Sequence, residues 1–510
     1  MLKSSELRAF TREAARIVAR EPDVASFEVY AASAEHRIAR INYTSDIPSR
    51  GVEEFKSLHA DGFQVRIAMR RDPHEVGTAF EAGDLDAASV REALRRARSA
   101  AVIDPHFPGF PAEPRKFRAA ATDKSDLARV GDGAIAAAAW SVIKGALEVF
   151  SKHRSRAGAA KVEHPGLIVG GDVSVIRDRI AVVNSNFDAV RVDESAHFNA
   201  SATSIVESID AKGTAAALGR NGAAMRKAAA ALGADAVRRA LALGHGVRPA
   251  SGNFRVVLGP QPVAEILNYM VMGSLTTGAF YAASSAYQAR FGERAMDPRL
   301  SLIDDPSARA GAVRRAITCE GIPARRVELI RGGMLVGLLS NFYDTHRLLT
   351  DDKRKEKLGA GYTDENFPPL SGYRLGEGGG RRFDAGPGSS GTNVMMRTRG
   401  GLTDDELIRK VRDGIYVGRI WYTYPINGQR AGDFTCTITG DSYLIRDGEL
   451  ATPLAPNCLR INANIAQVFE RPLAVGARSK PATVWGSPEA YYVPAIAVDS
   501  VALSEVAATS

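Results

Sequence analysis

The hydrophobic period changes part-way along this chain, and no single layer type can satisfy both sides of the change. Over 125–151 apolar residues fall at helical spacing in an alanine-rich run. From Val173 the spacing drops to two, through Val175, Ile180 and Val182, and a strand-like alternation continues over 192–206. A helix keeps one apolar face at a period of 3.6 and a strand at a period of 2, so each segment can serve one kind of element only. The first half therefore reads as long helices laid on a sheet.

The segments around that switch agree. Leu7, Phe10, Ala14, Ile17 and Val18, with Glu6 and Glu13 on the polar side, predict an amphipathic opening helix rather than a secretory signal or transit peptide. A half-buried strand is expected over 63–68 after the turn Asp61-Gly62, and a helix over 87–101 that ends near Asp104-Pro105. Pro105, Pro108, Pro111 and Pro114 then lead into the alanine-rich helix. The runs 173–177 and 179–183 are expected to face each other across Asp178 as a hairpin. A second alanine-rich helix over 223–243 closes this half before Gly244, Gly246 and Pro249 break the pattern. The second half opens with a strand over 254–258, the turn Gly259-Pro260 and a helix over 263–272. Many short strands follow, and the glycine-dense stretch 376–391 is expected to be a mobile loop. The expected fold class is α+β: an N-terminal α/β domain over 1–245 with long helices on a sheet, and a C-terminal β-rich domain over 246–510.

Composition narrows the function. Apolar residues at 45% and charged residues at 24% are globular values, which excludes a disordered, collagenous or coiled-coil chain. The net charge of +8 is spread over separate clusters, such as Arg95-Arg96-Ala97-Arg98 and Lys353–Lys357, most with acids nearby. Nucleic-acid surfaces gather basic residues on one face, so no specific nucleic-acid partner is expected. Three cysteines, Cys319, Cys436 and Cys458, make no disulfide framework, and a cytoplasmic location is expected. The uncharged-looking stretch 266–289 is long enough to span a bilayer, but Asn268, Ser274, Thr276, Thr277, Ser284 and Ser285 mark it as protein interior, so no membrane contact is expected.

Searches for familiar chemistry return little. Gly386-Pro-Gly-Ser-Ser-Gly391 matches a dinucleotide fingerprint literally, but a strand-like run follows it where a helix is needed. Among nine histidines none forms an HExxH pair, and His74-Glu75 reads as a surface turn. The acid pairs Asp304-Asp305, Asp351-Asp352 and Asp404-Asp405 sit beside turns or helix starts and read as caps. Cys436 lies in an apolar strand-like run with no basic neighbour, so a buried thiol is expected rather than a nucleophile.

Seven stretches, in order, resemble the TldD/PmbA family, the TldD and TldE peptidase subunits also called modulators of DNA gyrase. They are Asp61-Gly-Phe-Gln-Val-Arg66, Asn184-Ser-Asn186, Phe254-Arg-Val-Val-Leu-Gly-Pro260 with its following helix, and Glu320-Gly-Ile-Pro through Arg331-Gly-Gly333. The last three are Gly391-Thr-Asn-Val394, Asp413-Gly-Ile-Tyr-Val417, and the block from Ile420-Trp-Tyr-Thr423 to Gly440-Asp-Ser-Tyr through Leu450. The resemblance implies a zinc site built in TldD-type subunits from HExxxH on the helix after the strand, plus a cysteine near the C-terminus. Laid on that motif, this sequence puts Asn268 and Gly273 at the histidines, Tyr269 at the glutamate and Trp485 at the cysteine. Zinc requires imidazole or thiolate donors and a carboxylate to take the proton from bound water, so no catalytic zinc is expected in this chain.

That departure resembles the TldE (PmbA) side of the family. It implies a metallopeptidase subunit that binds substrate or acts as a scaffold, paired with a zinc-bearing TldD-like partner and handling extended or unfolded peptides. Pairing with a second copy of the chain is the alternative assembly. Two other functions compete: a stand-alone metal-independent hydrolase using Cys436, or Tyr269 with Asp304 or Asp305, and a non-enzymatic interaction module.

Overall fold

Strand parity decides what each face of the first sheet meets. The computed structural model describes residues 1–47, 50–71, 75–113, 125–156, 166–376 and 379–507. Its first half holds β1 (Val24–Thr44), β2 (Lys56–Met69), β3 (Glu75–Ala82), β4 (Val102–Ile103), β5 (Leu167–Asn184), β6 (Arg191–Val206) and β7 (Ala211–Gly219). They form one antiparallel sheet in the order β4-β3-β2-β1-β5-β6-β7. Val29, Ala31, Ala39 and Ile41 of β1 share a face with Val173, Val175, Ala181 and Val183 of β5. Four helices bury that face. The first two, α1 (Ser4–Val18) and α2 (Ala87–Ser99), cover one end; α3 (Asp132–Arg156) and α4 (Gly222–Ala242) cover the other. The last two approach closely because Gly233 has no side chain: a Cβ there would lie 1.8 Å from the Val142 carbonyl oxygen.

The opposite face carries Tyr30, Ala32, Ile180 and Val182, packed on Ile317, Cys319 and Phe383 of the second half. Among those apolar residues lie Glu28, Gln64, Asp178, Asp193 and His197, all buried. Buried charges need partners, and the second half supplies two arginines with no exposed surface. Arg374 donates from Nη2 to Glu28 Oε1 at 2.7 Å. Arg381 donates from Nε to Asp178 Oδ1 at 2.7 Å and from Nη1 to Asp193 Oδ2 at 2.6 Å.

Two sequence expectations fail at this contact. Asp178 marks no hairpin, since β5 runs unbroken from Leu167 to Asn184. Arg177, Asp178 and Arg179 tolerate mid-strand positions because Glu35, Arg381 and Glu194 answer them. Nor is the described part of 376–391 a free loop, because Arg381 and Phe383 are buried against the sheet; positions 377–378 lie outside the described residues.

The second half opens with β8 (Gly252–Leu258), at the centre of a nine-stranded sheet whose outer strands are Arg419–Pro425 and Glu449–Pro453. A six-stranded sheet packs beside it and ends in the edge strand Lys480–Ala482. One large apolar cluster fills the space around both, including Val256, Met270, Phe280, Leu302, Phe434 and Val498. The architecture is α+β with a β-rich C-terminal region, as expected.

The stretch 266–289 is not one helix. It breaks into several short turns, with Ser274, Thr277 and Ser285 buried and hydrogen-bonded. The helix long and apolar enough to cross a bilayer is instead Asp132–His153, whose apolar residues here pack on α4 and the sheet. All three cysteines are free and buried.

Candidate functional site

A helix whose winding changes twice lies just after the first strand of the second half. Gly259 ends β8, and Pro260 starts α5 (Pro260–Ile266), where its fixed φ and missing N–H cost nothing. The helix then widens into a π turn over Leu267–Val271 and tightens to a 3₁₀ turn over Met272–Ser274. An i→i+5 turn brings residues five apart toward one side, and such turns cluster at functional sites. It also disturbs the carbonyl ladder. Gln429 answers this by donating from Nε2 to the Met270 carbonyl at 2.6 Å.

The four positions singled out in sequence fall on or near this turn. Asn268 Oδ1 lies 2.9 Å from the Tyr491 hydroxyl, which also bonds Glu489 Oε2. The Tyr269 hydroxyl donates to the Trp485 carbonyl at 3.3 Å, so these two residues meet although 216 positions separate them. Gly273 is exposed, and a Cβ built there would meet nothing within 4 Å. The donors at these positions are therefore an amide already engaged by a phenol, a second phenol, a bare glycine and an indole. Among the described residues no group of three or more His, Cys, Asp or Glu could hold a metal ion.

Aromatic rings border the turn. Trp485 is 70% exposed, and its ring lies 6.0 Å from that of Trp421 on the outer strand Arg419–Pro425. This strand is bulged between Trp421 and Tyr424 and holds Tyr422 at φ 58°, which leaves Tyr422 and Tyr424 facing solvent. Beneath the rim sits Glu265, 3% exposed. It accepts from Thr423 Oγ1 at 3.1 Å and from Gln261 Nε2, and burial pushes its carboxyl up to about 7. Sequence reasoning missed Glu265, yet a signal existed: it is the single charged residue between Arg255 and Arg290.

A cleft runs from this region between the two halves of the molecule, with two lobes of about 360 Å³ each. One lobe is bounded by 214–218 of β7 and by 480–483. The other lies over His36, Arg40 and Asp172 of the first sheet and ends at the Trp485 loop. Arg419, Leu218 and Thr483 line both lobes.

The remaining candidates lie elsewhere. Cys436 is 1% exposed, and burial raises its thiol far above the ordinary value, so no thiolate forms near neutrality. Asp304 is buried too. Its Oδ1 accepts from the Thr392 backbone N–H at 2.6 Å and hydroxyl at 2.9 Å, and burial pushes its carboxyl up to about 7. It therefore braces the 391–392 turn and is not a cap of an exposed end. No hydrogen bond among the described residues joins it to Tyr269. Asp305 and Asp351 do cap their own turns, through Ser307 and Lys353. Asp404 lies in the first helical turn after the Thr403 cap. A strand, Asn393–Thr398, follows the glycine-rich Gly391, which is the wrong element for a dinucleotide turn. His74 lies outside the described residues.

Residues 251–505 match the profile of the PmbA/TldA metallopeptidase C-terminal domain. Three solved structures share the fold across nearly the whole chain. TldE from Thermococcus kodakarensis superimposes with a TM-score of 0.73 at 16% identity, covering 98% of this chain and 100% of that one. A putative modulator of a DNA gyrase from Thermotoga maritima gives 0.71 at 14% identity, over 97% and 99% of the two chains. A putative modulator of DNA gyrase from Bacteroides thetaiotaomicron gives 0.68 at 17%, over 98% and 99%. No curated protein sequence matches the chain.

Proposed function

This chain belongs to the TldD/PmbA peptidase family, and from that premise we propose that it is a TldE-type subunit: it lacks zinc of its own and binds or positions peptide for a zinc-bearing TldD-like partner. One observation carries the reading. The helix has a π turn that can present residues five apart on one side, while Asn268, Tyr269, Gly273 and Trp485 stand where the family resemblance puts the imidazoles, carboxylate and thiolate of a zinc site. None of these four supplies the donor that zinc takes up and keeps, and Asn268 is already spent on Tyr491. The surroundings suit binding rather than hydrolysis, with exposed aromatic rings on a sheet edge beside an open cleft. Cys436 gives no support to a stand-alone hydrolase, being buried and protonated.

The test is elemental zinc analysis and peptide cleavage, on the chain alone and after co-expression with an HExxxH-bearing relative. The expected result is no bound zinc and no cleavage alone, with both appearing in a mixed complex of defined mass. Stoichiometric zinc in the lone chain would overturn the assignment of those four positions. Failure to form a mixed complex would overturn the partner.

A further inference from the structure

The cleft between the two halves holds a partly buried cation to which no described residue offers a hydrogen bond. Arg419 lines both lobes, yet among the described residues its guanidinium makes no hydrogen bond and no ion pair within 4 Å. Its one close companion is the Trp421 ring, 5.6 Å from its central carbon. Burial lowers its pKa, with Asp441 and Glu265 opposing from beyond ion-pair distance. A guanidinium withdrawn from water with its five donors unspent is costly unless a ligand supplies the acceptors.

Two other cations of the cleft are already engaged, and the third, Arg40, is exposed to solvent in the second lobe. Lys480 Nζ pairs with Asp404 at 2.5 Å. Arg239 donates from Nη1 to the Thr214 carbonyl at 2.6 Å, and the nearby Asp441 accepts from the Thr214 hydroxyl. In the second lobe the Glu489 carboxylate is taken up by Ser390, the Gly391 N–H and Tyr491. Arg419 differs from Arg40 in being partly buried and in lining both lobes, so among the described residues it is the withdrawn charge without an acceptor at their junction.

The walls say what kind of molecule brings the anion. One wall is β7, an edge strand paired only with β6. Facing it is Lys480–Ala482, an edge strand paired only with 491–493. Among the described residues no backbone hydrogen bond reaches 215–218 or 480–482 from outside their own sheets. The two edges come within 8 Å of each other at some Cα atoms, too close for a strand paired to both, so an added strand pairs with one edge, and the alanines at 215, 216 and 217 leave room for a main chain along β7. A free phosphate would use the guanidinium but neither edge.

We infer that an extended peptide lies along this cleft with its C-terminal carboxylate on the Arg419 guanidinium. A planar carboxylate can take two parallel N–H donors from that fork, which fixes the end of the peptide and hence its register along the edge. The inference deepens the proposed peptide-binding role and rests on it. An acidic side chain carries the same chemistry as a terminus, so the test must separate the two sources.

The experiment uses three dye-labelled hexapeptides of alanine and serine, followed by fluorescence anisotropy with the full-length chain and again with its mixed complex. One ends in a free carboxylate, one in a carboxamide, and the third is the carboxamide with an internal glutamate. The free acid is expected to bind about ten-fold or more tighter than either amide. Arg419→Gln should bring all three to one affinity, while Arg419→Lys keeps part of the preference and guards against a misfolded variant. The anchor is overturned if the acid and plain amide bind alike, if Arg419→Gln keeps the preference, or if no peptide binds in either preparation. An internal-glutamate amide that matches the free acid would overturn the terminal assignment. Equal affinities in a complex that still forms and cleaves would sink the anchor and leave the subunit role standing. A chain that prefers the free acid but finds no partner would do the reverse.

Discussion

Arg381 and Arg419 both lie between the two halves of the molecule, and the chain treats them in opposite ways. Arg381 has no exposed surface and meets two carboxylates, Asp178 and Asp193, brought from neighbouring strands. Arg419 is partly buried beside an open cleft and, among the described residues, meets an aromatic ring but no carboxylate within 4 Å. A buried charge whose partners are built in locks one arrangement of the two halves. A half-buried charge without partners leaves its hydrogen bonds for something that arrives later. The same side chain thus marks a clasp in one place and a binding position in the other.

The sharpest way to break this contrast is Arg381→Ala. It leaves Asp178 and Asp193 buried without their cation, and removing one member of such a group costs about 3–5 kcal/mol. The urea midpoint should fall by the matching amount. A loss below about 1 kcal/mol would mean the contact is wet and the clasp weak.

The clasp also explains what the sequence could and could not reveal. The alternation over 192–206 was legible because the even residues of β6 meet helices and the odd ones are mostly polar. The helices α1 to α4 were legible for the same reason, each having one apolar face. The 21-residue strand β1 was not, since Glu28, Glu35, His36 and Arg37 interrupt its pattern, and the arginines that answer Glu28 and Glu35, Arg374 and Arg177, lie far along the chain. Asp178 read as a turn until Arg381, 203 residues later, supplied its counter-charge. At the candidate site the four positions singled out came from a family resemblance, and Tyr269 and Trp485 do meet. Glu265 and Arg419 escaped because neither belongs to a motif. Their meaning lies in burial and in the partners around them, which no spacing records.

Protonation gives the next largest effect. Asp304, Glu320 and Glu265 are all buried, and burial raises each carboxyl to about 7. Unfolded, the same groups titrate near 4. Between those values the folded chain holds protons that the unfolded chain has released, so stability is full below about pH 4 and falls as pH rises toward about 7. One such group contributes up to about 4 kcal/mol across that window. Asp304→Asn keeps an acceptor for Thr392 and removes the titration. The slope of unfolding free energy against pH should flatten by one proton, and an unchanged slope would show Asp304 to be ionised in the fold.

Arg419→Gln sharpens the comparison from its other side. Since no carboxylate is left behind, stability should stay within about 1 kcal/mol of the parent or rise, because a partly desolvated and unpaired charge has been removed. Thermal unfolding of the two arginine variants side by side reads the contrast directly. A drop for Arg419→Gln as large as that for Arg381→Ala would make both structural.

The smallest effect tests whether the bare glycine at 273 is forced by crowding. Several glycines of the second half are forced: a Cβ at Gly414 would lie 2.2 Å from the Arg255 carbonyl oxygen, and one at Gly418 would lie 2.1 Å from that of Asp441. Gly273 differs, with an ordinary negative-φ helical turn and nothing within 4 Å of the added atom. Gly273→Ala should therefore stabilise the chain by about 0.5 kcal/mol, through lost freedom of the unfolded state. A matching substitution at Gly414 should destabilise it by more than that. Gly273→His should also fold, which separates space from chemistry: the turn can carry a side chain there, and a ligand set still fails for want of donors at 268 and 485. A marked loss of stability in Gly273→Ala would show instead that the turn tolerates no side chain, and the absence of a donor at 273 would then follow from packing alone.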